Sequence, residues 1–170
     1  NRFVGKVGYD LRHWLTLYGI AGWNDFDLGT DIVSGNNADL IIGASLSMNL
    51  FTHGIQDAII MADKFRINGQ VSIFRTEFEV IGKNHDVLEL ESQLTFSLVN
   101  DVSGSKFYLP ESIALFAGPI YSDLNGDVNE SGKRIGVMAG LKFFSEGRAS
   151  VGFHIQQYDE TGFIGDFNIH

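Results

Sequence analysis

The sequence predicts an all-β fold: an antiparallel up-and-down barrel in a single domain over 1–170. Two stretches and the composition carry that expectation. Leu88, Leu90, Ser92, Leu94, Phe96 and Leu98 alternate with Glu89, Glu91, Gln93, Thr95 and Ser97. A period of two sustained this long makes a strand with one apolar and one polar face. Ala38–Phe51 repeats the pattern, with Leu40, Ile42, Ala44, Leu46, Met48 and Leu50 opposite Asp39, Gly43, Ser45, Ser47 and Asn49. The composition agrees: 20 Gly, 14 Phe, 5 Tyr and only 2 Pro suit a chain of strands and tight turns.

Nine strand candidates follow in order. Arg2–Asp10 puts Phe3, Gly5, Val7 and Tyr9 on one face and Lys6, Gly8 and Asp10 on the other; Leu11-Arg12-His13 is a tight turn. Trp14–Trp23 is apolar on both faces, so its orientation stays open. A polar loop, Asn24–Asn37, precedes Asp39–Phe51. Thr52–Asp63 is a connection in which Ile55–Ala62 fits a short helical turn. From Phe65 to Ile81 the polar set Arg66, Asn68, Gln70, Ser72 gives way to an apolar set Phe74, Thr76, Phe78, Val80, opposite Arg75, Glu77 and Glu79. A slip of one residue predicts a β-bulge there. Gly82–Asp86 turns the chain into Val87–Val99. A connection with Gly104 and Pro110 leads to Ser112–Ser122, and a polar loop, Asp123–Lys133, follows. Arg134–Phe144, the Ser145–Arg148 turn, Ala149–Tyr158, the Asp159–Gly162 turn and Phe163–Ile169 complete the set.

Polarity decides what kind of barrel this is. A soluble barrel turns its apolar face inward; a membrane barrel turns it to lipid and keeps polar groups in the lumen. Only 19% of residues are Asp, Glu, Lys or Arg, and many fall in loops, so too few remain to coat a soluble exterior. No apolar run reaches the ~18 residues of a membrane helix, and a barrel does not need one. The net charge of −9 disfavours a nucleic-acid partner. With no Cys there is no disulfide framework, Cys-based metal site or Cys nucleophile.

Two segments add a resemblance. Gly5–Trp23 reads as a Lys-x-Gly-Tyr strand, a turn and Trp-Leu-x-Leu-Tyr-Gly; Tyr158–His170 reads as a last hairpin ending in an assembly signal. In these features the chain resembles the small outer-membrane β-barrel proteins of Gram-negative bacteria. That signal usually closes on an aromatic residue, whereas this sequence closes on His170, so the resemblance leads us to expect a terminal Phe just beyond it. The resemblance implies a bacterial outer-membrane location, partners in outer-membrane lipid and lipopolysaccharide, no cofactor and a structural or porin-like role without enzymatic activity. Two alternatives stand beside it. One is a soluble lipocalin-like barrel whose Leu88–Leu98 face lines a pocket for a small hydrophobic ligand. The other is an outer-membrane barrel enzyme.

The expected lumen-lining residues are Lys6, Arg66, Gln70, Glu89, Glu91, Gln93, Lys142 and His154, with Asp10, Arg75 and Glu77 beside them. Charges in so narrow a space must pair. They make either an ion-conducting or gated pore or a filled polar core; small barrels generally fill their interiors, which favours the second. Asp123, Asn125, Asp127 and Asn129 have the alternating oxygen spacing of a calcium loop. Val128 stands where that loop needs Gly and Arg134 where it needs Glu, so a solvated acidic loop is the better reading. None of His13, His53, His85, His154 and His170 sits in a zinc motif. Trp14, Trp23, Tyr108, Tyr121 and Tyr158 lie where interfacial girdles form.

The count itself makes a prediction. Hairpins alternate direction, so strands one and nine run the same way, whereas bacterial single-chain barrels have even counts. The expectation is a tenth strand upstream of Asn1, or a partner chain, bridging the Arg2–Asp10 and Phe163–Ile169 edges. Eight strands follow instead if Tyr158–Ile169 is one long strand. The Asn24–Asn37 and Asp123–Lys133 loops are expected at one end of the barrel, the Leu11–His13 and Ser145–Arg148 turns at the other.

Overall fold

A computed structural model describes residues 2–24, 39–57, 62–80, 83–101, 112–126, 132–145, 149–158 and 161–169. They form nine strands: β1 (Arg2–Arg12), β2 (Leu15–Asn24), β3 (Asp39–Asp57), β4 (Ala62–Val80), β5 (Lys83–Asp101), β6 (Ser112–Gly126), β7 (Gly132–Phe144), β8 (Ala149–Gln157) and β9 (Thr161–Ile169). Each strand pairs with the next, and β9 returns to β1, so the sheet closes.

The closure corrects the expected tenth strand. β1 and β9 pair directly and in parallel, from Arg2↔Ile164 to Val7↔Ile169. No gap separates them. Parallel pairing is slightly less stable per residue than antiparallel pairing. It nonetheless satisfies backbone groups that an open edge would leave unpaired. β8 and β9 are separate strands paired from Ala149↔Ile169 to Gln157↔Thr161, so the eight-strand alternative does not hold either.

Strong stagger accompanies closure. From Val4, cross-strand partners lead one way through Gly22 to Ile41 on β3. The other way they pass through Asp166, Gly152, Lys142, Ala114, Val99 and Lys64 and reach β3 at Gly54. A register displaced this far tilts the strands against the barrel axis, as closure requires.

The outward face is largely apolar, and the interior mixes polar and charged side chains with apolar ones such as Ile41, Val99 and Ile120. On β5, Leu88, Leu90 and Phe96 are exposed while Glu89, Glu91 and Ser97 are buried. The same phase puts Leu40 and Ile42 outward on β3, Val137 and Leu141 on β7, and Phe153 on β8. Leu46, Leu94 and Val151 share the outward phase and are half-buried. β2, apolar on both faces, turns Leu17 and Trp23 outward and Tyr18 and Ile20 inward.

Several boundaries move. β3 continues through Asp57 and β4 begins at Ala62, so Thr52–Asp57 is strand; the proposed helical turn otherwise lies outside the described residues. Lys83–Asp86 and Asp123–Gly126 are also strand rather than loop. The expected bulge in β4 is absent: β4 and β5 hold one register from Lys64↔Val99 to Val80↔Lys83. The bulge lies in β3, where pairing with β4 shifts between Asn49 and Phe51. In consequence Phe74 and Thr76 are buried inside, and Arg75 faces outward, where it pairs with Asp86 at 2.8 Å. Arg75 is therefore not a lumen residue.

Candidate functional site: the polar lumen

Two ionic clusters occupy the interior. The first joins opposite walls. Arg2 of β1 donates from Nη2 to Glu89 Oε2 of β5 at 2.5 Å, and its Nη1 lies 3.8 Å from Glu91 Oε2. Ser122 Oγ of β6 donates to Glu89 Oε1 at 2.8 Å. The guanidinium also lies over the Phe74 ring, 5.0 Å from its centroid, a cation–π placement. Phe74 continues into an apolar cluster with Val4, Tyr18, Ile20 and Ile41. Charge and apolar bulk thus cross the lumen side by side, which explains why β2 and β4 carry large apolar residues on both faces.

The second cluster spans β7–β9. Asp166 Oδ2 accepts from Asn168 Nδ2 at 2.5 Å, and Oδ1 lies 3.7 Å from His154 Nδ1. Asn168 also donates to Ser150 Oγ at 3.2 Å, and Gln156 Nε2 lies 3.3 Å from His154 Nε2. Lys6 and Lys142 are within electrostatic reach of Asp166. The Lys142 ammonium lies 5.7 Å from the centroid of Phe144.

Glycines make room for these groups. Gly152 is flanked in register by Lys142 and Asp166. A Cβ there would stand 2.3 Å from Asp166 Oδ1, so only glycine leaves the carboxylate its place. Gly140 lies between Phe116 and His154, whose rings meet edge-on at 5.9 Å; its Cβ would reach 2.5 Å from the His154 Cβ.

Of the sequence-predicted lumen residues, Glu89 and Glu91 lie in the first cluster and His154, Lys6 and Lys142 in or beside the second. Gln70 donates to Ser72 Oγ at 3.0 Å, Gln93 pairs in register with Gln70, and Arg66 is half-buried. Arg2, Phe74, Ser122, Asp166 and Asn168 were missed. The signal for three of them was present, since Arg2 shares phase with Lys6, and Asp166 and Asn168 alternate with Phe163, Phe167 and Ile169.

Other expectations concern the ends. Asp123 and Asn125 lie on β6 rather than in a loop, and Asp127 and Asn129 lie outside the described residues. Among the described residues no group of three His, Asp or Glu is placed to hold a metal ion. Outward aromatic rings gather toward both ends: Phe3 lies 6.3 Å from Trp23, and Phe51 contacts His53 and Phe65 at 6.2 and 6.4 Å. Trp14 is exposed, Tyr121 and Tyr158 are half-buried, and Tyr108 lies outside the described residues. At the rim near the β5–β6 connection, Lys64 pairs with Asp101, which also accepts from Ser112 at 2.9 Å.

No family model, no curated protein and no solved structure matches this chain.

Proposed function

We propose that the protein is an integral β-barrel of a bacterial outer membrane, with a side-chain-filled lumen and a structural or, at most, narrow porin-like role. One observation supports this reading: the outward face is lined by large apolar side chains, while ionic groups are enclosed in the lumen. Val7, Leu40, Ile42, Leu90, Ile135 and Phe153 point outward, whereas Arg2, Glu89, Glu91, Asp166 and Asn168 are sequestered inside. Such an exterior in water would be a continuous apolar patch far beyond what soluble monomers expose; in lipid it is the favoured face. The outward aromatic rings support the same reading. The lipocalin-like alternative places Leu88–Leu98 around an internal pocket, and those side chains face outward instead.

The interior favours the filled form. Arg2 and Glu89 meet from opposite walls, and Phe74, Ile20 and Ile41 close the space beside them. The odd strand count departs from the even counts of bacterial single-chain barrels, so fractionation is the first test. The protein should appear in outer-membrane fractions, need detergent for extraction and migrate differently on unheated and boiled gels. Recovery as a detergent-free soluble species would overturn the proposal. Planar bilayers then separate the two roles: a filled lumen gives little or no steady conductance.

A further inference from the structure

We infer that the free edge of the β3–β4 hairpin is a docking site for an extended peptide segment of a water-soluble protein, which adds to the barrel wall as a further strand beside Leu50–Ile55. This goes beyond the structural or porin-like role; only the choice of partner rests on the membrane reading.

The edge arises from unequal strand lengths. β3 and β4 run 19 residues each, β2 only 10. β2 and β3 are level at one end, where Asn24 pairs with Asp39, and their register stops at Leu15↔Met48. One more bond, from Asn49 N to the Trp14 carbonyl at 2.8 Å, completes that contact. β3 continues, paired with β4 on its other side as far as Asp57↔Ala62. Among the described residues no strand pairs with Leu50–Ile55 on the side that β2 has vacated. A barrel strand crosses a membrane with about 9–11 residues. All the excess length of β3 over β2 falls at this end and carries the hairpin past the rim that β1 and β2 set.

The edge is open in chemistry as well as in geometry. Natural sheets blunt free edges with Lys, Pro or inward charge. Leu50-Phe51-Thr52-His53-Gly54-Ile55 contains no Lys, Pro or carboxylate, and Leu50 to Gly54 are exposed. Asn49 Nδ2 donates to Thr52 Oγ1 at 2.9 Å across the bulge, which fixes where the free stretch begins. The outward rings of Phe51, His53 and Phe65 lie together and give an added strand an apolar neighbour.

An antiparallel strand on β3 follows the direction of β2 and ends at the β1–β2 turn. Arg12 and His13 are exposed there, and Asp10 beside them is engaged by Thr16 at 2.7 Å. The matching segment therefore alternates apolar side chains and ends in a carboxylate. Its main chain supplies affinity and its alternate side chains specificity. A second copy of this chain fits poorly. Two barrels in one membrane are related by an axis along the membrane normal, which sets their tilted β3 edges crossed rather than antiparallel.

The test uses the full chain in detergent micelles, so it reads the edge whether or not fractionation supports the membrane reading. The probe is a dye-labelled heptapeptide of alternating Thr and Val that ends in Glu, followed by fluorescence anisotropy against empty micelles. Saturable binding is expected. The same peptide with N-methylated backbone amides should bind at least about tenfold more weakly, because it keeps its side chains and loses its main-chain donors. Arg12→Glu should weaken the parent peptide about two- to five-fold. A peptide with Cys at its central apolar position should form a disulfide with His53→Cys and not with Asn125→Cys at the opposite end. Binding no greater than to empty micelles overturns the inference. So does equal binding of the N-methylated peptide, undiminished binding to Arg12→Glu, or equal disulfide yields at the two positions. Faster formation of His53→Cys dimers than of the peptide adduct puts a second copy on the edge and overturns it too.

Discussion

Phe3 of β1 and Gly165 of β9 are parallel register partners, and the Phe3 ring covers the glycine: a Cβ at 165 would stand 3.1 Å from Phe3 Cδ1. This pair marks the seam that makes nine strands a barrel. Because the chain has no Cys, the seam can be locked without background. Phe3→Cys with Gly165→Cys should form an intramolecular disulfide on mild oxidation, seen as a mobility shift on non-reducing gels. Phe3→Cys with Phe163→Cys, two positions out of register, should form it far more slowly, since a disulfide tolerates only a narrow Cα separation. Equal yields would show that the seam is open or differently registered.

Sidedness follows from the ladders. The β1–β2 and β7–β8 turns lie at one end, and the β2–β3 and β6–β7 connections at the other. His13→Cys and Asn125→Cys, both at exposed positions, should therefore react oppositely with a membrane-impermeant maleimide on intact cells. Labelling of Asn125→Cys alone fits polar connections facing outward. Equal labelling of both would contradict a spanning barrel.

Strand positions were legible because a half-polar strand writes its period into the letters, as Leu88–Leu98 does. β4 was misread for a reason its own letters could not give. Phe74 and Thr76 look like an outer face, but the lumen beside Arg2 needs apolar volume and Phe74 fills it. β2 was ambiguous for the same reason, since Tyr18 and Ile20 are interior bulk. The Arg2–Glu89 contact joins residues 87 apart in sequence, and no local pattern encodes such a pairing. The parallel closure was implied by an odd count of strands, yet the even-number tendency of bacterial barrels argued against it. Only the register of β9 on β1 decides between them.

Outward and inward positions should respond differently to charge. Leu94 belongs to the outer phase of β5 and is half-buried among its neighbours, while Thr95 faces the lumen and bonds the Asn68 carbonyl at 3.4 Å. Leu94→Arg, near the middle of the strand, should cost ~2–4 kcal/mol in folding into lipid vesicles. Thr95→Asn keeps a polar lumen and should cost less. Denaturant titration of vesicle-inserted protein measures both, and a larger loss at Thr95 would reverse the assigned facing.

Gly152 tests the second cluster. Asp166 is held by Asn168 and faces His154, so it cannot swing away freely from a new side chain. Gly152→Val should destabilise the barrel by about 1–3 kcal/mol through forced repacking. Asp166→Asn in the same chain should not restore stability, because the amide occupies the same space, whereas Asp166→Gly should restore part of it. Unchanged stability in Gly152→Val would mean the carboxylate lies elsewhere.

Arg2 is the most consequential single position. Replacing it with Met keeps much of the volume over Phe74 but leaves Glu89 and Glu91 buried without their cation. Breaking a buried pair by removing one partner costs about 3–5 kcal/mol. The loss should be largely reversed by Arg2→Met combined with Glu89→Gln and Glu91→Gln, since neutral amides need no counter-charge. The same comparison probes the lumen. Arg2→Met alone removes the link between opposite walls and the positive charge from its centre, so steady cation conductance in planar bilayers should rise above the wild-type level. In the triple variant the added conductance should lose its cation preference, because the two carboxylates that would attract cations are gone. Stability and conductance both unchanged in Arg2→Met would show that the guanidinium neither bridges β1 to β5 nor restricts the interior.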